Sequence, residues 1–178
     1  MPQFGGETVI PSDVKLILID CFETLIELRE RKYAPRTGIG DFLRHFVRDL
    51  KIPVVVISDA GEDLVISALT EANVRHLITA IYHAGNASEA LDGGRMRKRL
   101  DLPLADFRIK ASESVFIGDS PMDAQAAQHH GLPFIRVPRS EDAMFSFTTL
   151  ITGPSRYRSG DFSDLMLDRY KKDPKPKG

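Results

Sequence analysis

The sequence predicts an α/β protein in three layers, with a central parallel sheet and helices on both faces. Short apolar runs alternate along the chain with segments of helical periodicity, which is the pattern of strands joined by crossover helices. Three of these runs end at a polar side chain, namely Asp20, Ser58 and Asp119. Ligands of such sheets sit beyond the carboxyl ends of the strands, so we expect these three groups to meet at one rim.

The individual elements are predicted from their apolar spacing. Continuous apolar runs predict buried strands, and apolar positions three or four residues apart predict helices. The predicted strands cover VKLILID (14–20), VVVIS (54–58), AIYH (80–83), VFIG (115–118) and PFIRV (133–137). The predicted helices cover 39–50, 62–74 and 161–171, the last packed on the outside. Ser120 and Pro121 predict the N-cap and first position of a further helix, which runs to about His130 and is stopped by Gly131.

Size and composition fit one globular domain. The hydrophobic fraction of 42% and the charged fraction of 28% in 178 residues are ordinary for a soluble protein. We expect a single domain over 1–172 and a disordered tail over 173–178, where the charged, Pro-rich end has nothing to bury. With 24 basic and 25 acidic residues the net charge is −1, which argues against a strong overall attraction to nucleic acid or membranes but leaves a local basic patch open.

Cysteine usage and the absence of targeting patterns predict a cytoplasmic protein. Cys21 is the one cysteine, so no internal disulfide can form, and its place inside an apolar segment predicts packing rather than redox chemistry. The N-terminal stretch has no basic segment followed by an apolar one, so we expect no secretory signal. The longest apolar runs are too short to span a membrane.

Three blocks together resemble the haloacid dehalogenase-like (HAD-like) hydrolase superfamily. They are LILIDCFETL (16–25), VVVISD (54–59) and VFIGDSPMDAQAAQHHG (115–131), in the order and spacing of that family. The resemblance covers roughly residues 14–137. It implies a Rossmann-like α/β/α fold of the HAD-like type and a Mg²⁺-dependent hydrolase, which we expect to be a phosphatase that works through an aspartyl phosphate.

The resemblance also implies roles for individual residues of the first and last blocks. Asp20 would be the nucleophile, because a carboxylate can attack phosphorus and form an acyl phosphate. Asp20, Asp119 and the backbone carbonyl of Phe22 would bind Mg²⁺, and Asp123 would bind it directly or through water. A second reason to expect a cation is physical, since clustered carboxylates repel one another without one.

Substrate binding is expected beside these carboxylates. Ser58 would hold a phosphoryl oxygen, and Asp59 and Thr24 are grouped with it as substrate-binding residues. The family also needs a cation before the Asp119 strand, and the segment GGRMRKRL offers Arg95, Arg97, Lys98 and Arg99. We predict Lys98, whose setting resembles that of capless members. Lys110 is an alternative, and a solvated basic helix face is the structural alternative for the segment.

The first block departs from the phosphatase pattern at Phe22. Most phosphatases of the family carry there a second Asp that protonates the leaving oxygen and then activates water, and losing a general acid–base costs about 10²–10⁴-fold in rate. Glu23 is adjacent but is expected to point the other way. His83 could act as a substitute acid. His129 and His130 are expected to complement a helix C-terminus rather than to bind a ligand.

The spacing of the blocks leaves no room for a substantial cap domain. Only 37 residues separate Asp20 from Ser58, and 39 separate Ser58 from Lys98. Capless relatives commonly act on phosphate groups of large substrates, and YAPRTGIGDFL (33–43) is similar to a stretch of capless protein and polynucleotide phosphatases. We therefore expect a phosphorylated, large substrate, with nucleic acid only in that role. Two alternatives stay open: a catalytically weak phosphate-binding module, favoured by Phe22, and a dehalogenase-like hydrolase, disfavoured by the missing cap and the metal carboxylates.

Overall fold

The structure is a computed structural model that describes residues 9–152. Its strands are β1 (Leu16–Ile19), β2 (Ile26–Arg29), β3 (Lys32–Pro35), β4 (Val54–Ile57), β5 (Ala80–Tyr82), β6 (Ser88–Ala90), β7 (Met96–Lys98), β8 (Ser114–Gly118) and β9 (Phe134–Arg136). Its α-helices are α1 (Ile39–Leu43), α2 (Glu62–Glu71), α3 (Asp101–Phe107), α4 (Pro121–His130) and α5 (Thr149–Thr152). A π-helical segment, Arg44–Asp49, continues α1 directly, and short 3₁₀ turns cover Arg75–Leu77, Asp92–Gly94 and Ala111–Glu113.

The predicted parallel sheet is confirmed and has five strands in the order β5-β4-β1-β8-β9. The central strand β1 pairs in parallel with β4 on one side and with β8 on the other. All residues of these three strands are buried. Continuous apolar runs therefore mark them, because a strand covered on both faces has no side for water-facing residues.

The three layers follow from the alternation of side chains along β1. Ile17 and Ile19 belong to one apolar cluster, which includes Phe42 of α1 and residues of α2 and α5. Leu16 and Leu18 belong to the other cluster, to which α3 and α4 contribute. Successive strand residues point to opposite faces, so a single strand anchors both cores.

The predicted helices are present with changed ends. The segment predicted over 39–50 is an α-helical turn followed by π-helical geometry, in which the Leu50 N–H donates to the His45 carbonyl. The helix predicted over 62–74 ends at Glu71, just before Asn73 takes a φ of 57°. The α4 signals are confirmed: the Ser120 side chain accepts from the Asp123 N–H, and Gly131 has a φ of 74°.

Two antiparallel hairpins, β2–β3 and β6–β7, are features that the sequence analysis did not predict. They occupy the two intervals in which a cap domain would be inserted, which agrees with the expected lack of a substantial cap. The first hairpin lacks the usual Asn-Gly signal because Glu30 and Arg31 form its two-residue loop, with φ of 47° and 69°. Helix α3 was also not predicted.

The predicted C-terminal helix over 161–171, the domain boundary at 172 and the tail 173–178 lie outside the described residues. Within residues 9–152, no helix is long and apolar enough to cross a membrane.

The β2–β3 loop gives a first prediction. Left-handed backbone costs about 1 kcal/mol for a residue with a Cβ, and Asn-Gly accommodates it best. Replacing Glu30-Arg31 by Asn-Gly should therefore raise the free energy of unfolding by about 1 kcal/mol, measured in urea. Asp13→Gly is the control, because Asp13 is an exposed turn residue without a positive φ. No gain in the Asn-Gly variant, or an equal gain in the control, would contradict this account of the loop.

Candidate active site

The polar groups at the strand ends come together as expected. Asp20 follows β1, Ser58 follows β4 and Asp119 follows β8, and these strands are neighbours in the sheet. The Asp20 N–H continues the ladder by donating to the Ile117 carbonyl at 2.9 Å. Because parallel strands end at the same edge, the three side chains lie together at that edge of the sheet. We call this edge, with Asp20, Ser58 and Asp119, the rim.

Three carboxylates form the centre of this rim. Asp20, Asp119 and Asp123 each offer an oxygen, and these oxygens lie within 4.8 Å of one another. Asp123 reaches the rim from the first turn of α4. Gly118 makes this approach possible, since a Cβ at that position would lie 2.5 Å from Asp123 Oδ2. The glycine before Asp119 thus has a packing role that no other residue can fill without displacing Asp123.

Lys98 is the cation that the structure places among these carboxylates. Its side chain is 4% exposed, and Nζ lies 2.6 Å from Asp123, 2.9 Å from Asp59 and 3.3 Å from Asp20. Strand β7 carries it, so the helical alternative for this segment was wrong. Successive strand residues face opposite ways, which is why Arg97 turns away and pairs with Glu89.

The other basic candidates do not reach the carboxylates. Arg99 pairs with Asp101 at 2.6 Å, and Arg95 is exposed. Lys110 is exposed in the turn before β8, at the opposite end of that strand from Asp119.

Thr24 lies between two of the carboxylates and is completely buried. Its hydroxyl is 3.1 Å from Asp20 Oδ2 and 2.8 Å from Asp119 Oδ1. One hydroxyl has one proton, so it can donate to only one of these oxygens at a time. The sequence predicts Thr24 as a substrate-binding residue. In the structure it is buried between the two carboxylates, where it can position them.

Ser58 and Asp59 follow β4 with different exposure. Ser58 is buried, its N–H donates to the Tyr82 carbonyl, and its hydroxyl oxygen accepts from the Ala60 N–H at 3.2 Å. No residue within 9–152 accepts the hydroxyl proton, which can therefore be donated to a ligand. The Asp59 side chain is 59% exposed, with its carboxylate on Lys98. The Asp59 carboxylate therefore lies on the solvent-exposed side of the rim.

The rim holds more negative than positive charge. Burial raises the pKa of Asp20 to about 8, against the lowering effect of Lys98, and Asp123 and Asp119 add to the rise. Burial also raises the pKa of Asp123. Burial alone would lower the pKa of Lys98, but Asp20, Asp123 and Asp59 outweigh it and raise that pKa. Lys98 and Arg139 are thus the two cations that contact the four carboxylates of Asp20, Asp59, Asp119 and Asp123.

A divalent cation fits this imbalance. Asp123 Oδ2 is buried and has no hydrogen-bond partner among the described residues. The atoms available as metal ligands are all oxygens, which Mg²⁺ prefers. Asp20, Asp119 and Asp123 are the residues that could hold such an ion, together with a backbone carbonyl from the turn after β1.

Arg139 and Arg36 join the site without any signal in the sequence patterns. Arg139 Nε lies 3.4 Å from Asp119 Oδ2, and its side chain is 58% exposed in the loop after β9. Arg36 is buried and donates to the carbonyls of Glu23, Pro138 and Arg139 at 2.8, 2.5 and 3.1 Å. Arg36 thus ties the turn after β1 to the loop that carries Arg139.

Phe22 leaves the position of the usual acid without a titratable group. Its ring packs against Tyr33 of β3, with centroids 5.4 Å apart. The Glu23 carboxylate accepts from the backbone N–H and hydroxyl of Ser140, which holds it on the loop after β9. His83 follows β5, two strands from β1, and its Nε2 lies 3.7 Å from Glu62. Glu23 and His83 thus each have another polar partner, and their role as a substitute acid stays a prediction.

Among the described residues, the carboxylate cluster of the rim includes neither Cys21 nor the two histidines of α4. Cys21 is part of the apolar core, and burial raises the pKa of its thiol, as expected for a packing residue. His129 and His130 are at the end of α4 farthest along the chain from Asp123.

The fold and the rim together define a parallel α/β protein with a polar centre built from carboxylates and a lysine. The chain belongs to the haloacid dehalogenase-like hydrolase family, whose sequence model matches residues 8–137. Among curated protein sequences, no relative matches this chain.

Solved structures show the same fold at low sequence identity. An uncharacterized protein from Listeria monocytogenes serotype 4b is 18% identical, with a TM-score of 0.58 over 88% of this chain and 99% of that one. CbbY from Rhodobacter sphaeroides, in complex with xylulose-(1,5)bisphosphate, is 15% identical, with a TM-score of 0.59 over 75% and 92%. The N-terminal part of BF1531 from Bacteroides fragilis, containing a phosphatase domain complexed with Mg, is 16% identical, with a TM-score of 0.52 over 70% and 36%.

The charge imbalance gives a second prediction, for protein kept metal-free with EDTA. A carboxyl whose pKa is raised on folding stabilises the fold while protonated, and this contribution is lost as pH rises from about 4 to about 8. Asp20→Asn stays neutral throughout. The variant should therefore gain stability over the wild type across that range, by roughly 1–3 kcal/mol at pH 8.

Denaturant unfolding at several pH values measures this gain. Asp49→Asn is the control, because it removes an exposed carboxylate outside the rim and should show no gain that grows with pH. If Asp20→Asn is less stable than the wild type at pH 8, the rim is not short of positive charge.

Proposed function

We propose that this hydrolase is a Mg²⁺-dependent phosphatase in which Asp20 attacks the phosphorus of a phosphorylated substrate. The observation that carries the proposal is the gathering of Asp20, Asp119 and Asp123 within 4.8 Å at one rim, with Lys98 Nζ 3.3 Å from Asp20. A phosphate ester would be a suitable partner for such a centre, because Lys98 and a divalent cation held by the carboxylates would offset its negative charge.

The metal would be held by Asp20, Asp119, Asp123 and the backbone carbonyl of Phe22. When bound, Mg²⁺ neutralises phosphate charge and fixes the orientation of the phosphoryl group. The carboxylate repulsion within the rim supports this assignment, since an ion would relieve the cost of burying three acids together. Gly118 supports it as well, because it leaves space for the Asp123 carboxylate.

Lys98 and Thr24 would prepare the nucleophile. Only the ionised form of Asp20 can attack, and the ammonium group of Lys98 stabilises that form. The Thr24 hydroxyl donates to Asp20 or Asp119 and so restricts the rotation of both carboxylates. Thr24 is in this account a positioning residue rather than a contact to substrate.

The phosphoryl group would be bound on the exposed side of the rim. The Ser58 hydroxyl can donate its free proton to a phosphoryl oxygen, and Asp59 holds Lys98 from the solvent side. Arg139 contacts Asp119 in this structure and is exposed enough to reach a phosphoryl oxygen instead. The rim therefore offers a hydroxyl and two cations to a bound phosphate.

Phe22 restricts which phosphate esters the proposed enzyme should hydrolyse well. Asp20 forms a bond to phosphorus, and the leaving oxygen departs with the electron pair of the bond that breaks. No acid at position 22 protonates that oxygen, so good leaving groups such as aryl oxides are favoured. The same absence slows the attack of water on the aspartyl phosphate.

The size of the substrate follows from the hairpins. Compact β-hairpins stand where a cap would enclose a small molecule, and water exclusion then depends on the substrate itself. We propose a large phosphorylated substrate. A nucleic acid would bind only as such a substrate. A catalytically weak phosphate-binding module is the second candidate, since Phe22 removes a group that turnover needs. A dehalogenase role is disfavoured, because a small haloacid would react in a site that is open to water.

The first functional prediction concerns an aryl phosphate, whose leaving group needs no protonation. The protein should hydrolyse it with Mg²⁺, and EDTA or Asp20→Asn should lower the rate at least about 10³-fold. Release of the aryl alcohol is the measurement. Asp49→Asn is the matched control and should keep wild-type turnover.

Phosphate-analogue binding separates the two candidates. Saturable binding of Mg²⁺ and vanadate without any turnover would favour the phosphate-binding module. Turnover that survives in Asp20→Asn would contradict the assigned nucleophile.

The second functional prediction concerns Phe22→Asp. A carboxyl group at this position can protonate the leaving oxygen, so turnover of an alkyl phosphate should rise at least about 10-fold, with little change for an aryl phosphate. Phe22→Leu is the control, because it removes the contact with Tyr33 without adding an acid. Equal effects of both variants, or equal effects on both substrates, would count against the missing-acid explanation.

A further inference from the structure

Three potential metal ligands meet outside the rim, where α4 ends against the β6–β7 hairpin. Glu89 comes from β6, and His129 and His130 come from the last turn of α4. One ligand atom from each residue lies within 4.8 Å of the other two. The two imidazole rings are 4.7 Å apart and nearly perpendicular, at 84°. Two neighbouring helix residues thus present their rings to the same strand.

The surroundings of His130 differ from those of a histidine that only complements a helix C-terminus. Its side chain is 12% exposed, and Nε2 is buried without a hydrogen-bond partner among the described residues. Its other nitrogen, Nδ1, lies 3.8 Å from Asp101, which Arg99 holds at 2.6 Å. A carboxylate near one ring nitrogen, with the other nitrogen free, is the usual setting of a metal-binding histidine.

Glu89, the third candidate ligand, lies in β6 and is half-buried. Glu89 is fixed from the far side by Arg97 Nε at 2.8 Å, so its carboxylate is already oriented.

We propose that Glu89, His129 and His130 bind a transition-metal ion of the Zn²⁺ type, with a fourth position open to water. Two imidazole nitrogens and one carboxylate oxygen are a donor set for Zn²⁺, whereas the all-oxygen rim suits Mg²⁺. Tetrahedral ligand atoms at about 2.0–2.1 Å from an ion are about 3.3 Å apart, so each pair of ligand atoms must approach by at most about 1.5 Å to close the site. His129 is exposed, so an ion can reach the three ligands from the side of this residue.

The ion would tie the hairpin to α4. Strand β7 presents Arg97 toward this site and Lys98 toward the rim. Helix α4 carries Asp123 at its other end. Metal binding at Glu89, His129 and His130 therefore joins the two elements that supply Lys98 and Asp123, and should raise the stability of the fold.

Titration calorimetry with Zn²⁺ tests the site in full-length protein, with excess Mg²⁺ present to occupy the rim. The wild type should bind one Zn²⁺, and Glu89→Gln and His130→Ala should weaken binding at least about 100-fold. Asp101→Asn should weaken it about 10–100-fold, because it removes only the carboxylate near Nδ1. His76→Ala is the control, since His76 is exposed and lies outside the cluster.

Two further measurements keep the test independent of misfolding. Zn²⁺ should raise the melting temperature of the wild type by about 5 °C at saturation and leave that of Glu89→Gln unchanged. Co²⁺ in place of Zn²⁺ should give the visible absorption of a tetrahedral nitrogen–oxygen site. No Zn²⁺ binding up to about 100 µM, or binding that both cluster variants retain, would overturn the proposal. Binding lost in Asp119→Asn but kept in Glu89→Gln would place the ion at the rim and overturn it equally.

Discussion

The site depends on holding three buried carboxylates together against their mutual repulsion. Asp20, Asp119 and Asp123 lie within 4.8 Å of one another. Lys98 pairs with Asp20 and Asp123, and Arg139 contacts Asp119. Local features hold this unfavourable arrangement in place: Ser120 fixes the first turn of α4, Gly118 leaves space for Asp123, and Thr24 bridges two carboxylates. The stability of the core supports a centre that by itself opposes folding, as binding and catalytic sites commonly do.

The sheet and α4 could be predicted from the sequence because their causes are local. Buried parallel strands are continuous apolar runs, and Ser120, Pro121 and Gly131 mark the ends of α4. The hairpins could not be predicted, because Glu30 and Arg31 form a turn without its usual residues. Lys98 was selected by its setting, but its burial depends on the unpredicted strand β7. Its partner strand β6, also unpredicted, brings Glu89 to the histidines. The contact of Arg139 with Asp119 depends on a loop path that no sequence pattern encodes.

Phe22 links the fold to the chemistry. Its ring packs on Tyr33 and so helps to fix the hairpin that follows Asp20, while Glu23 is held by Ser140 on a neighbouring loop. The residues beside Asp20 therefore shape the site. In the proposed reaction, attack by Asp20 would be less affected by the missing acid than the later steps, since the proposed nucleophile needs only its charge and its orientation. An aspartyl phosphate formed here would lack a base to activate water.

Mass spectrometry of the protein quenched in acid during turnover of an aryl phosphate is the most direct test of the central claim. We predict that a phosphoryl adduct accumulates on the peptide that contains Asp20, requires Mg²⁺, and is absent from Asp20→Asn. Accumulation is expected because the missing base slows hydrolysis of the adduct more than its formation. Phosphate release with no adduct on Asp20, or an adduct on another side chain, would contradict the account.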